Sequence, residues 1–151
     1  MERENPKLNW IEDRMALFAE KLIFGSDPTE LVLQSFDAGD RVLFDVWTFK
    51  GDVENGGIPE YLVGTYSFNI DSTITSLRSI GEDGIALKLQ EIFSHLPEEY
   101  RDLDRDQKVE VIIGLRDSVL DKGGLKELQR SIYAISAENL YEHVLRLNEP
   151  S

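Results

Sequence analysis

The stretch Val53-Glu54-Asn55-Gly56-Gly57-Ile58-Pro59-Glu60-Tyr61-Leu62 decides the fold of this chain, because it places a tight turn between two apolar helical patterns. Glycines tolerate positive φ at little steric cost, so the Gly56-Gly57 pair after Asn55 suits a sharp turn. Pro59 suits the first turn of a helix, where its missing N–H is not needed. We therefore predict a helix-turn-helix corner formed by Asn55, Gly56, Gly57, Pro59 and Tyr61.

Apolar residues recur at helical spacing on both sides of this corner, so the predicted fold class is all-α, with one compact multi-helix domain over 1–151. Residues 42, 46, 49 and 53 share one stripe, which favours a helix over 40–53. The Val, Phe and Trp content of that run also suits a strand, and the same alternative stays open for 109–115. The predicted helices are 9–24, Asp27-Pro28 to Phe36, 40–53, 59–66, 70–79, 82–96, 106–119, 125–135 and 137–147, with Ser136 capping the last and Gly123-Gly124 as a break.

The composition excludes several functional classes. The chain has no cysteine, which rules out disulfides, thiolate catalysis and cysteine-ligated metal centres and fits a reducing compartment. The first residues are polar and charged, and no apolar run approaches the length that a bilayer requires. We therefore predict a cytoplasmic protein that makes no contact with a membrane.

Charge is distributed unevenly along the chain. The formal net charge is −13, and residues 51–100 hold nine acidic and two basic residues, so this third alone contributes −7. Such an excess argues against direct binding to nucleic acid and predicts a basic partner. The ordinary alternative is that the charge only keeps the protein soluble.

No motif with established chemistry is present. Asp52-x-Glu54-x-Gly56-Gly57 begins like a calcium loop, but its twelfth position is Val63 instead of a bidentate glutamate. Glu91 and His95 are spaced for an ion pair on one helix face, and two ligands do not make a metal site. Nucleophile motifs and phosphate-binding glycine loops are also missing. We therefore predict no metal, no cofactor and no enzymatic activity.

The acidic residues around the corner are the candidate partner-binding site. They have few basic neighbours in sequence, although a solvated surface role is the ordinary reading of each one alone. Thirteen charges on one side would imitate ~22 Å of duplex DNA, or about six base pairs. The candidate residues are Asp52, Glu54, Glu60, Glu82, Asp83 and Glu91.

The corner also carries a family resemblance. The pattern V-x-N-G-G-[hydrophobic]-x-[Q/E]-[Y/F]-[hydrophobic], followed by Leu77-Arg78-Ser79-Ile80-Gly81, resembles a small bacterial family of acidic helical proteins over residues 41–97. That family is named after a DNA-mimic protein and is largely catalogued as a domain of unknown function. The resemblance implies an all-α homodimer without catalytic residues, whose acidic surface stands in for a nucleic-acid backbone. The family usually has Phe, Gln and Asn where this chain has Ile58, Glu60 and Gly64, so partner contacts of those amides are not carried over.

Three functional hypotheses follow. The leading one is a non-enzymatic module that occupies the basic nucleic-acid site of a cytosolic DNA-binding protein. The second is an immunity or antitoxin-like protein that neutralises a cationic toxin. The third is an enzyme or a small-molecule-binding protein with a pocket near Tyr61 and the Asn55 corner, which would require a deep concave site.

Overall fold

The fold is all-α, as predicted. The computed structural model describes residues 5–116 and 125–148, and within these ranges it contains helices and connections but no strand. The strand alternatives for 40–53 and 109–115 are therefore wrong, since both segments are helical. Short 3-10 turns at Ser67–Asn69 and Glu98–Asp102 join the longer helices. These helices are α1 (Pro6–Phe24), α2 (Thr29–Gln34), α3 (Ala38–Val63), α4 (Ile70–Ser79), α5 (Asp83–Ser94), α6 (Arg105–Leu115), α7 (Leu125–Tyr133) and α8 (Ala137–Asn148).

Two predicted helix ends are confirmed by their hydrogen bonds. The N-cap of α8 is Ser136, whose Oγ accepts a bond from the backbone N–H of Asn139 at 2.9 Å. After α4, Gly81 has φ of +83°, and the backbone N–H groups of Gly81 and Glu82 donate to the carbonyls of Arg78 and Leu77. This reciprocal pair is a Schellman motif, which explains why the Ile80-Gly81 pair ends the helix.

Other predicted boundaries are wrong by a few residues. α1 begins at Pro6, because Asn5 Oδ1 accepts a bond from the backbone N–H of Leu8 and caps the helix. α2 begins at Thr29 instead of Pro28, whose ψ of 146° is extended, and no side chain caps it. The helix after the corner ends at Val63, three residues before Tyr66. The break at Gly123-Gly124 and the end of the helix predicted over 106–119 lie outside the described residues.

The chain divides into two compact units. The first comprises Met1–Phe44 with Ser136–Ser151, and the second comprises Asp45–Ile135. The division falls within α3, so this helix contributes to both units. The arrangement of the whole chain as a single domain stays a prediction.

In the first unit, α1 packs against α8. The indole of Trp10 meets the ring of Tyr141 edge-on, with centroids 5.0 Å apart. Lys7 Nζ bridges two carboxylates of α8, at 3.1 Å from Glu138 and 2.6 Å from Glu142. These contacts join α1 and α8, which are far apart in sequence.

The second unit contains the corner and a core built mostly of aliphatic side chains. α5 packs against both α4 and α7. Trp47 lies on α3 with Lys50 Nζ 5.8 Å from its ring centroid. Lys108 of α6 is buried, donates to Ser67 Oγ at 3.0 Å and lies over the ring of Tyr100. Burial lowers the pKa of the Lys108 amine.

Candidate functional site

The corner is a break inside α3 at the two glycines. Gly56 and Gly57 depart from helical geometry, and Gly57 has φ of +81° with ψ of −177°, a conformation that only glycine adopts readily. A Cβ on Gly57 would also lie 2.8 Å from Gln129 Oε1. Pro59 follows in the first turn after the break, where no backbone N–H is required. The predicted role of the glycine pair and Pro59 is thus confirmed.

Gln129 of α7 fastens the corner from outside the motif. Its Oε1 accepts a hydrogen bond at 3.1 Å from the backbone N–H of Ile58, the first residue after the glycine pair. The bond ties α3 to α7 immediately after the two glycines that depart from helical geometry. The sequence analysis missed Gln129, and no local signal identifies it, since it lies 71 residues away along the chain.

Tyr61 belongs to the core instead of to a binding surface. Its side chain is fully buried, its ring meets that of Phe49 edge-on at 4.8 Å, and its hydroxyl donates to Thr73 Oγ1 at 3.1 Å. Burial raises the pKa of this phenol well above its usual range. Tyr61 itself does not line the groove, which lies beside Asn55 and the neighbouring Glu60.

Three of the predicted acidic residues lie around the corner. Glu54 accepts a hydrogen bond from Lys50 Nζ at 2.8 Å, one helical turn before it. Glu60 Oε1 lies 3.8 Å from Arg105 Nη2, a loose ion pair in which both side chains are exposed. Asp52 is half-buried, and burial followed by the negative charge of Glu60 raises the pKa of its carboxyl. The structure therefore brings Asp52 and Glu60 together and gives Glu54 and Glu60 cationic neighbours.

The other three predicted residues belong to α5. Glu82 occupies the N-cap position of α5 without a capping side-chain bond, and Asp83 lies in the first turn, where the helix dipole favours a carboxylate. Glu91 lies 3.5 Å from Lys88 on the exposed side of the same helix. The six candidates thus fall on two elements, α3 and α5.

An open groove of about 760 Å³ runs beside the corner. Its apolar lining includes the half-buried Val109 and two exposed side chains, Ile113 and Tyr133. Charged residues border it, with carboxylates from α3 and guanidinium groups from α6. The residues that line the groove are Glu54, Asn55, Gly56, Gly57, Pro59, Glu60, Val63, Arg105, Val109, Ile112, Ile113, Arg116, Leu125, Gln129 and Tyr133.

A buried polar cluster joins α3 to the start of α4 and was also missed. Asp45 is 1% exposed, and its carboxylate accepts hydrogen bonds from Asn69 Nδ2, Ser72 Oγ and Ser76 Oγ at 2.6, 2.6 and 2.7 Å. Asn69, Ser72 and Ser76 recur at spacings of three and four, so they form one polar stripe beginning just before α4. That stripe was the available signal for a buried acid, because buried polar groups need hydrogen-bond partners.

The described residues offer neither a membrane-spanning helix nor a metal-binding cluster. No helix within 5–116 and 125–148 combines the length and the apolar character that crossing a bilayer requires. In the same residues, no three His, Cys, Asp or Glu side chains lie together as a metal site would need. That the protein works without metal or cofactor remains a prediction from the sequence.

Comparison with known proteins identifies the family. The family model described as DMP19-like protein matches residues 34–148, a longer range than the 41–97 over which the corner pattern was recognised. No curated protein and no solved structure matches the chain. The match includes the corner, the groove and all six candidate carboxylates. The chain therefore belongs to the DMP19-like protein family, the family named after a DNA-mimic protein that the corner pattern indicated.

Proposed function

We propose that this protein is a non-enzymatic DNA mimic, which occupies the basic nucleic-acid site of a cytoplasmic DNA-binding protein. Membership of the DMP19-like family carries the proposal, because that family takes its name from a DNA mimic. The charge distribution supports it, since residues 51–100 contribute −7 of the net −13 and include the corner. Lysines and arginines of a DNA-binding site would be attracted to such a surface at a high rate.

The corner supplies the carboxylates that a basic site would meet first. Glu54 and Glu60 are exposed or partly exposed, and both line the groove, so an approaching cation can reach them. The cations already beside them, Lys50 and Arg105, lower the local net charge but leave oxygen atoms of both carboxylates open to solvent. A partner's arginine would therefore compete with these internal ion pairs. The exposed Glu60–Arg105 pair contributes only ~0–1 kcal/mol, so a partner's arginine displaces it at little cost. Lys50 is buried, so its pair with Glu54 is harder to break.

A competition experiment tests the proposal. The protein is immobilised at low salt, basic proteins from the native host are captured and identified, and each purified partner is then challenged with duplex DNA. A DNA mimic must release its partner when DNA is added, because the two ligands share one site. A captured cationic toxin that DNA does not displace would instead support an immunity role and contradict the proposal.

Charge variants show whether the corner is the surface used. The triple variant Asp52→Asn, Glu54→Gln and Glu60→Gln should weaken partner binding by about tenfold or more at low salt. The effect should shrink as salt increases, because screening removes the attraction that the variant lacks. The control triple variant Glu12→Gln, Glu20→Gln and Asp27→Asn removes the same charge from exposed positions before residue 30. Equal losses in both triple variants would place the contact surface elsewhere.

A further inference from the structure

We propose that the groove beside the corner receives a basic amphipathic helix of the partner, whose apolar side chains enter the groove while its lysines and arginines meet Glu54 and Glu60. This inference rests on the proposed function and adds an apolar component to it. A duplex backbone offers only charge to a protein, so an apolar groove on a DNA mimic would distinguish one partner from other basic proteins.

The shape of the groove favours a helix as its occupant. The groove is lined by the end of α3, by α6 and by α7, and grooves between helices accept the side-chain ridge of another helix. It is open to solvent where Ile113 and Tyr133 are exposed by 65% and 44%. Small ligands are held in sites that enclose most of their surface, whereas an open groove suits a segment of a larger partner.

The apolar lining is continuous with the core. Val63 and Ile112 are buried beneath the groove, and Val109 is half-buried beside them. Ile113 stands one residue after Ile112 on α6 and projects into solvent. Covering an exposed isoleucine of this kind with an apolar side chain from a partner removes both surfaces from water, which favours binding.

Charge sets the identity and the direction of the occupant. Glu54 and Glu60 border the groove on the α3 side, whereas Arg105 and Arg116 border it on the α6 side. A helix with basic residues along one edge would place them on the α3 side, next to the two carboxylates. Arg105 donates to the carbonyl of Val63 at 3.2 Å and lies 3.8 Å from Glu60, so its guanidinium reaches across to the end of α3.

The test uses two labelled helical peptides of about 18 residues, or roughly five turns. One carries leucines on one face and lysines and arginines on the other, and its counterpart has the leucines replaced by glutamines at equal charge. Fluorescence anisotropy measures both Kd values at low salt and at about 1 M salt, where the Debye length is about 3 Å. The apolar peptide should bind about tenfold more tightly, and this ratio should persist at high salt.

Two matched variants locate the binding site. Ile113→Ser lies in the groove, whereas Leu87→Ser lies on α5 outside the groove lining, and the two side chains are exposed to similar extents, 65% and 56%. Because both are solvent-exposed, both variants should fold. We expect Ile113→Ser to abolish the difference between the two peptides and Leu87→Ser to preserve it.

The outcomes separate this inference from the proposed function. Both peptides could bind with equal Kd, and the double variant Glu54→Gln, Glu60→Gln could weaken the binding of both. That result would support recognition by charge at the corner and would show that the apolar groove is not the binding site. Equal effects of Ile113→Ser and Leu87→Ser would likewise overturn the groove, and so would failure of both peptides to bind. Displacement of the native partner by duplex DNA decides the proposed function separately from all these results.

Discussion

Gly57 adopts a backbone conformation at the corner that disfavours any side chain for two separate reasons. Its positive φ with extended ψ is almost restricted to glycine, and an added Cβ would approach Gln129 Oε1 to 2.8 Å. The first effect strains the backbone of this residue. The second disturbs the hydrogen bond that fastens Ile58 to α7. The two effects act in the same direction.

We therefore predict that Gly57→Ala lowers the free energy of unfolding by about 1–3 kcal/mol. Urea denaturation followed by circular dichroism measures this change. The matched control is Gly51→Ala, in the helical part of α3, where an added Cβ meets nothing within 4 Å. That control should instead stabilise the protein by about 0.5–1 kcal/mol. A Gly57→Ala variant as stable as the parent would show that the corner relaxes without strain.

The glycines of the corner were visible in the sequence, whereas their partners were not. A Gly-Gly pair followed by proline has a local conformational meaning that requires no knowledge of the rest of the chain. Gln129 and Asp45 have meaning only through residues that folding brings to them. The sequence analysis gave Asp45 no role, because a single acid within a helical pattern is usually solvated.

At the scale of elements, hydrophobic periodicity predicted most of the described helices, and capping chemistry explains where several of them begin. α6 has a capping box at its N-terminus. Asp104 Oδ1 accepts a bond from the backbone N–H of Gln107 at 2.9 Å, and Gln107 Oε1 accepts one from the backbone N–H of Asp104 at 3.0 Å. This capping box satisfies two backbone donors that have no partner within the helix. It also anchors the helix that carries the α6 side of the groove.

Asp104→Ala should therefore reduce stability by about 1 kcal/mol, as the loss of an N-cap usually does. The measurement is again the free energy of unfolding in urea. Glu110→Ala on the exposed side of the same helix is the control and should change it by no more than about 0.5 kcal/mol. Similar losses in the two variants would mean that the helix start makes no special contribution.

Helix boundaries were harder to predict than helix existence, for reasons that differ from one helix to another. Pro28 suits the first position of a helix in isolation, yet its extended ψ places it at the N-cap of α2. The helix after the corner ends at Val63, because Gly64 and the turn leading to Ser67–Asn69 follow at once. Periodicity averages over several turns, so it does not resolve a single terminal residue.

For the whole molecule, the dominant feature is its negative charge, and the structure arranges that charge in two ways. Some carboxylates have cations beside them, such as Glu138 and Glu142 with Lys7. Others have a like charge close by. Burial, followed by the negative charge of nearby Glu60, raises the pKa of the Asp52 carboxyl. The sequence identified the acidic residues of the candidate site but not their relative positions, because their distribution over α3 and α5 depends on the fold.

Salt should therefore stabilise the folded protein at neutral pH. Screening weakens repulsion among the acids, so the Tm should rise with sodium chloride, by roughly 2–4 °C for each ~1 kcal/mol recovered. Differential scanning calorimetry at several salt concentrations measures this shift. The same series near pH 4.5, close to the isoelectric point, is the control and should show little rise. A Tm that falls with salt at neutral pH would mean that attractive pairs outweigh the repulsion.

The two tryptophans give the protein a built-in optical reporter for each part of the chain. Trp10 lies in the unit formed by both chain ends, against Tyr141, and Trp47 lies in the unit that carries the corner, beside Lys50. Replacing either indole by phenylalanine leaves emission from the other alone. Comparing the two melting curves would then show whether the two units unfold at the same temperature or one before the other.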